Sequence, residues 1–338
     1  MTVIDSAAPA TVVFRVAAGP RLGFGHLVRC RSLASALGVP AVVSLRGSGQ
    51  TRAIAASLGW RVLGGGRDEG VSTGRPSLIV VDDPSPVEET RWVRRARRLR
   101  VPVATIRDLE GRDSESDLSI DGSVTARPAR GADVLRGPRY AILDPAVNEA
   151  RQAGRSARAG RVLIALGGGA HVYAMAACLV DAIADRIPGA DIRVARGFSR
   201  RRQAPALAGA SWVTAPGGLV AELSGAAVAV VAGGITLYEA CALGVPTVAL
   251  AVTAAQRPAI RAMARHGAVV DGGGPSCDQT TAARVASAVQ DLMAPATARR
   301  QARAAMRLVD GCGVFRVAGR LRPWLDAPLV EGRPPLGA

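Results

Sequence analysis

Twice along this chain a short apolar run breaks on glycines and gives way to a helical pattern. Residues 11–18, TVVFRVAA, lead into GPRLGFGH, and residues 226–234, AAVAVVAGG, lead into ITLYEACALG. Buried apolar runs that alternate with helical stretches build parallel sheets, because a parallel strand needs a long crossover to return. AVVSL (41–45), LIVVDD (78–83) and VPVATI (101–106) continue the first series. Apolar residues at 27, 30, 33, 34 and 37 ahead of Gly38 mark a helix with a glycine stop. RVLIALGGG (161–169), ADIRVARG (190–197) and PTVALAV (246–252) supply the second series. The polar stretch EARQAGRSARAG, 149–160, lacks apolar periodicity and reads as the linker. The expectation is an α/β chain of two Rossmann-like, doubly wound domains facing across a cleft, residues 1–150 and 160–325, with a flexible tail at 326–338. A length of 338 residues suits two domains.

Charge raises one competing class. The formal net charge is +16, and clustered cations bind phosphate backbones. Yet all 43 basic residues are arginine and none is lysine, a bias spread along the whole chain. Aromatics make up only 3%, too few for base-stacking platforms. The densest basic run, RWVRRARRLR at 91–100, carries Trp92, Val93, Ala96 and Leu99 at helical spacing and reads as the solvated face of a docked helix. No nucleic-acid partner is expected. Five scattered cysteines without a CxxC pair point to a reducing, cytoplasmic setting and no structural zinc. The N-terminus lacks a basic n-region, and glycines, Glu239 and Pro246 interrupt the most apolar window, 225–252, so neither a signal peptide nor a membrane span is expected.

The chemistry concentrates at the glycine turns. In AVVAGGITLYEACALGVP, 229–246, a strand ends at Gly233 and Gly234 and a helix runs from about Ile235 to Leu243, where Gly244 stops it. The backbone of such a turn can approach a ligand, and the helix amides favour phosphate. Glu239, one turn in, is placed to accept both hydroxyls of a ribose. The plainer reading is a tight turn with a surface glutamate. LGGG at 166–169, with Gly167 and Gly168, is a second strand-end turn on the same cleft edge. Neither a GxGxxG fingerprint nor a GxxxxGK[ST] loop is present, so no nicotinamide cofactor or triphosphatase is expected. Asp113, Glu115 and Asp117 alternate in the acidic stretch 108–121 without the glycine and closing glutamate of a calcium loop, and read as a solvated turn entering a strand. His171 and His266 read as structural or surface residues. His26, in GFGHLVRC with Gly23, Gly25 and Arg29, begins a helix whose dipole favours a neutral ring able to take a proton from water. A lone histidine in this position is more often a cap or packing residue, although the flanking glycines weaken that reading because they expose the ring at the sheet edge.

Taken together, FRVAAGPRLGFGHLVRCRSLASAL (14–37), VVDD (80–83), the DL segments at 108 and 117, GPRYAILDPAVNEAR (137–151), LIALGGG, AGGITLYEACALGVPTVAL (232–250) and DGCGVFRVA (310–318) occur in an order that resembles the UDP-sugar hydrolases of pseudaminic-acid synthesis and their spore-coat polysaccharide relatives. The resemblance spans nearly the whole chain. It implies a glycosyltransferase-B fold, a UDP-linked acetamido sugar as substrate, no cofactor and no metal. By resemblance His26 is the base for water, Gly233, Gly234, Thr236 and Glu239 hold UDP, and Gln256 and Asp82 lie on the sugar side. Four positions depart from the family: Ala17 for an aspartate, Pro84 for an aromatic, Ala170 for a polar residue and Ala255 for an asparagine. All four changes remove polar or aromatic groups from the expected sugar side. A glycosyltransferase, in which His26 deprotonates an acceptor hydroxyl, and a non-catalytic nucleotide-sugar binder are the alternative readings.

Overall fold

The computed structural model describes residues 11–20, 22–63, 75–107, 115–127, 133–167, 172–198, 206–275 and 277–326. The first half runs β1 (Val12–Ala17), α1 (Gly25–Leu37), β2 (Ala41–Arg46), α2 (Gly49–Ser57), β3 (Arg61–Val62), β4 (Leu78–Asp82), α3 (Pro86–Leu99), β5 (Val103–Ile106), β6 (Leu118–Asp121) and β7 (Asp133–Arg136). A helix α4 (Pro145–Ala153) leads into β8 (Arg161–Ala165), α5 (Val172–Arg186), β9 (Asp191–Ala195), β10 (Ala210–Val213), α6 (Val220–Gly225) and β11 (Val228–Ala232). Then follow α7 (Ile235–Leu243), β12 (Thr247–Leu250), α8 (Arg257–Arg265), β13 (Val270–Gly273), α9 (Gln279–Met293), α10 (Pro295–Leu308) and α11 (Gly313–Asp326).

These strands make two sheets, ordered β3-β2-β1-β4-β5-β6-β7 and β10-β9-β8-β11-β12-β13, and every pairing is parallel. The two-domain α/β architecture expected from the alternating pattern is therefore present. In each sheet the strand order reverses once, between β1 and β4 and between β8 and β11. Such a switch point opens a crevice beyond the carboxyl ends of its two strands. The strands flanking each crevice are buried on both faces, as their unbroken apolar runs require. The strands absent from the sequence reading, β3, β7, β10 and β13, have two to four residues and, apart from the inner end of β13, little burial, so they carry no apolar run.

Two expectations change. The stretch 149–160 is not a loose linker throughout: α4 enters it, started by Asp144, which accepts the Ala146 amide at 2.9 Å, and by Pro145 at the first helical position. The chain also crosses between the halves twice. Val147 of α4 joins the core of the second sheet, whereas Val314, Val317, Leu321 and Trp324 of α11 join the core of the first, beside Leu27 and Leu33 of α1. Packing thus exchanges one helix in each direction across the sequential division. The arginine-rich α3 docks through Trp92, Val93 and Ala96, which keeps its charges in solvent. Residues 108–114 and 327–338, with half of the acidic stretch and most of the expected tail, lie outside the described residues. Glu115 pairs with Arg97 and Asp117 accepts the Val103 amide, so both serve the turn.

Candidate functional site

β1 delivers the chain to a loop closed by reciprocal hydrogen bonds between Gly19 and Gly23, and Gly23 sits at φ 85°, where a β-carbon would be strained. α1 then starts at Gly25 without a side-chain cap. This places His26 over the switch point, at the carboxyl end of the neighbouring β4. There its Nδ1 meets Asp82 Oδ1 at 2.7 Å. Asp82 is buried and saturated: Arg29 donates to it through Nε at 2.6 Å and Nη2 at 2.5 Å, and the Cys30 thiol at 3.3 Å. Burial alone would push this carboxyl up. The Arg29 and His26 charges and hydrogen bonds outweigh burial and hold it well below the usual carboxylate range.

Arg29 Nη2 also lies 3.0 Å from the same ring nitrogen. One nitrogen cannot both donate to Asp82 and accept from Arg29 in the ring plane, and the shorter contact assigns Nδ1–H as donor to the carboxylate. The other nitrogen, Nε2, then carries the lone pair and has no hydrogen-bond partner among the described residues. The side chain is 18% exposed, enough to reach a ligand and too little for free rotation.

Across the cleft, β11 ends at Ala232 and α7 begins at Ile235. Leu237 to Leu243 are all buried, as a helix apolar on every side must be, and Gly244 closes it at φ 66°. No side chain caps its first amides, which leaves a donor set suited to an anion. Gly233 and Gly234, Arg29 from α1 and Ser123 from the loop after β6 line one interdomain cavity, whose remaining wall is largely Ile106, Ile120, Ile142, Ile235 and Tyr238. Thr236 is half-exposed on the first turn. Gly167, at φ 90°, ends β8 at the same switch point, and Gly168 lies outside the described residues.

Glu239 is not the surface glutamate of the plainer reading. It is 6% exposed and has no hydrogen-bond partner among the described residues. Burial, reinforced by Asp144, pushes its carboxyl up to about 7. Gln256 turns its Oε1 to the Val252 amide at 2.8 Å, which leaves its NH2 as the end able to meet a ligand. Of the four departures, Ala17 is wholly buried at the end of β1, Pro84 and Ala255 are exposed, and Ala170 lies outside the described residues. His266 ends α8 in an exposed position, and His171 lies outside the described residues. No group of three metal-ligating side chains occurs among the described residues, and no helix among them is long and apolar enough to cross a membrane. What sequence reading missed is that Arg29 and Asp82 act together on His26; the separation of 56 residues between His26 and Asp82 hides it.

Neither a protein-family model nor a curated protein sequence matches the chain. Solved structures do. The spinosyn rhamnosyltransferase SpnG complexed with thymidine diphosphate aligns with a TM-score of 0.62 and 19% identity over 93% of this chain and 100% of its own. MurG of Acinetobacter baumannii aligns at 0.58 and 14%, over 93% and 100%. The UDP-GlcNAc 2-epimerase of Neisseria meningitidis, bound to UDP-GlcNAc, aligns at 0.58 and 12%, again over 93% and 100%. Full-length superposition at these identities establishes the fold, which is the glycosyltransferase-B arrangement of two Rossmann-like domains.

Proposed function

We propose that the chain cleaves the bond between the anomeric carbon and the diphosphate of a UDP-linked sugar, with water as acceptor and His26 as base. One observation carries the reading: a histidine ring oriented by a buried carboxylate, its second nitrogen unengaged, adjoins Arg29, which lines the same cavity as the glycine pair ahead of an uncapped helix N-terminus. In the step, the water oxygen forms a bond to the anomeric carbon while the carbon–oxygen bond to phosphate breaks. The electron pair leaves on the phosphate oxygen, and the water proton passes to His26 Nε2. The α7 amides stabilise the departing diphosphate, as oriented donors do where charge develops. Glu239 takes the ribose hydroxyls, and Gln256 meets the sugar through its NH2. That the nucleotide is UDP rests on the sequence resemblance.

The lining of the cleft favours a second reading. Four isoleucines and two tyrosines, 140 and 238, line the cavity, and the one charged group among the described residues that line it, Arg29, is engaged with Asp82. An apolar acceptor whose hydroxyl replaces water would fit such a wall, which makes the chain a transferase. Incubation with a panel of UDP-sugars, with and without apolar alcohols, separates the two. UDP and free sugar without acceptor support hydrolysis; release of UDP only with an alcohol supports transfer. A general base contributes about 100- to 10,000-fold, so His26→Ala should lower turnover by that order in either case. Equal rates in the variant and the native protein would remove His26 from the chemistry.

A further inference from the structure

We infer that Arg29 is a positioning residue that acts through Asp82, locking His26 in one tautomer and balancing the carboxylate's charge rather than binding the substrate. The inference rests on the reading of His26 as base and adds how that base is set.

Geometry carries it. Arg29 presents Nε and Nη2 to the two oxygens of Asp82, a planar fork that fixes the plane of the carboxylate. With Cys30 on one oxygen and His26 on the other, Asp82 has four donors and no room for a proton. It therefore acts only as an acceptor, and an acceptor-only partner forces the proton onto Nδ1 and the lone pair onto Nε2. Without Arg29, Asp82 would keep only the Cys30 thiol and His26 as partners, and nothing would fix the plane of its carboxylate or hold the ring in one tautomer.

The other charges around the site do not substitute for Arg29. Arg46 holds both oxygens of Asp83 at 2.8 and 2.5 Å, and Arg15 holds Glu88 at 2.8 Å, so the neighbouring ion group is closed on itself. Arg29 lines the interdomain cavity, which makes direct contact with the substrate diphosphate the competing role.

Two measurements separate these roles. The chain has three histidines, so the ring nitrogens of His26 can be assigned by comparison with His26→Ala in an isotope-labelled sample. Native protein should show Nδ1 protonated and Nε2 bare near neutral pH. Arg29→Met should show a tautomerically averaged ring under the same conditions. That readout needs no turnover, so it judges Arg29 even if His26→Ala proves fully active and the base reading fails. In the assay, Arg29→Met should lower kcat by about 100-fold with KM within about twofold. Arg29→Lys, which keeps the charge, should retain the native tautomer. Should Arg29→Met fail to fold, Arg29→Gln, which keeps a hydrogen-bond donor without charge, should show the same averaged ring. A ring unchanged in Arg29→Met and Arg29→Gln, or a loss confined to KM, would overturn the inference and leave Arg29 as a substrate contact.

Discussion

Gly233 and Gly234 are adjacent, and they lack side chains for different reasons. A β-carbon on Gly233 would come within 2.9 Å of both Gln256 and Ile260, so this glycine lets α8 lie against the turn. A β-carbon on Gly234 would meet nothing within 4 Å, so this position is open toward the cleft. Gly233→Ala should therefore destabilise the fold by about 1–3 kcal/mol through overpacking. Gly234→Ala should leave the melting temperature near native and, on the proposed function, weaken UDP binding by about tenfold, about 1.4 kcal/mol. Thermal melts and titration calorimetry check the pair, and the opposite assignment of effects would refute it. Glu239 makes a pH prediction. Its carboxyl has a pKa near 7 in the fold and near 4.5 when unfolded, so the native state holds the extra proton between those values. The stability this contributes is complete below about pH 4.5 and is lost as pH rises through 7. At 1.36 kcal/mol per unit the loss is on the order of 3 kcal/mol. Glu239→Gln, neutral throughout, should flatten the change in urea midpoint between pH 5 and pH 8; an undiminished slope would assign that change to other groups. His26 and Gly233 stood out in the sequence because glycines frame them. The bond from His26 to Asp82 did not, since 56 residues separate the partners and only the adjacency of β1 and β4 joins them.

At the scale of elements, arginine is what turned an expected linker into a fixed helix. Arg151 donates to the Ala242 carbonyl at 2.7 Å, to Val309 at 3.2 Å and to Met306 at 3.2 Å, which gathers the carboxyl ends of α7 and α10 on one guanidinium. Arg155 adds the Gly244 carbonyl at 2.7 Å and that of Ala226. Carbonyls at helix ends lack partners within the helix, and a cation there also suits the dipole. Hydrogen bonds to a charged group are worth about 1.5–3 kcal/mol, and three carbonyls share this one. Arg151→Met should lower stability in urea by about 3 kcal/mol, and Arg151→Lys should recover little of it, because an ammonium cannot span three carbonyls with the same fork. A lysine variant of native stability would show that charge alone suffices. Sequence patterning reads apolar faces, and α4 offers little apolar face; its anchoring is polar and long-range, which is why 149–160 looked like linker. By contrast α7 was legible almost to its ends. Its glycine start, apolar body and Gly244 stop are local, and local signals survive without a fold around them.

At the scale of the molecule, the two halves are joined by two chain crossings and also touch beside the cleft. The crossings meet at Ala141: a β-carbon on Gly122 would lie 2.7 Å from its Cα, and one on Gly313 would lie 2.2 Å from its carbonyl oxygen. Ile142 enters the first core while Ala141 and Leu143 enter the second, so the crossing segment is anchored on both sides and is the natural pivot. The alternating strands made two domains legible, but not this exchange, because α11 packs against a sheet remote in sequence and α4 lies astride the expected boundary. Away from the pivot, the Phe24 and Phe198 rings meet at 5.0 Å, and the Val124 amide donates to Tyr238 Oη at 3.1 Å. Each contact bridges the halves beside the cleft. An aromatic pair contributes about 0.5–1.5 kcal/mol and a hydrogen bond a similar amount, so together they favour closure by about 1–3 kcal/mol. Micromolar nucleotide binding supplies about 8 kcal/mol. A latch of this size would keep the empty protein mostly closed, and a ligand that bridges the halves would outweigh it. Phe198→Ala combined with Tyr238→Phe should therefore increase the radius of gyration of the ligand-free protein in small-angle X-ray scattering, and saturating UDP-sugar should return it to the native value. A ligand-free variant as compact as the native protein would show that the pivot, not the latch, sets the angle between the domains.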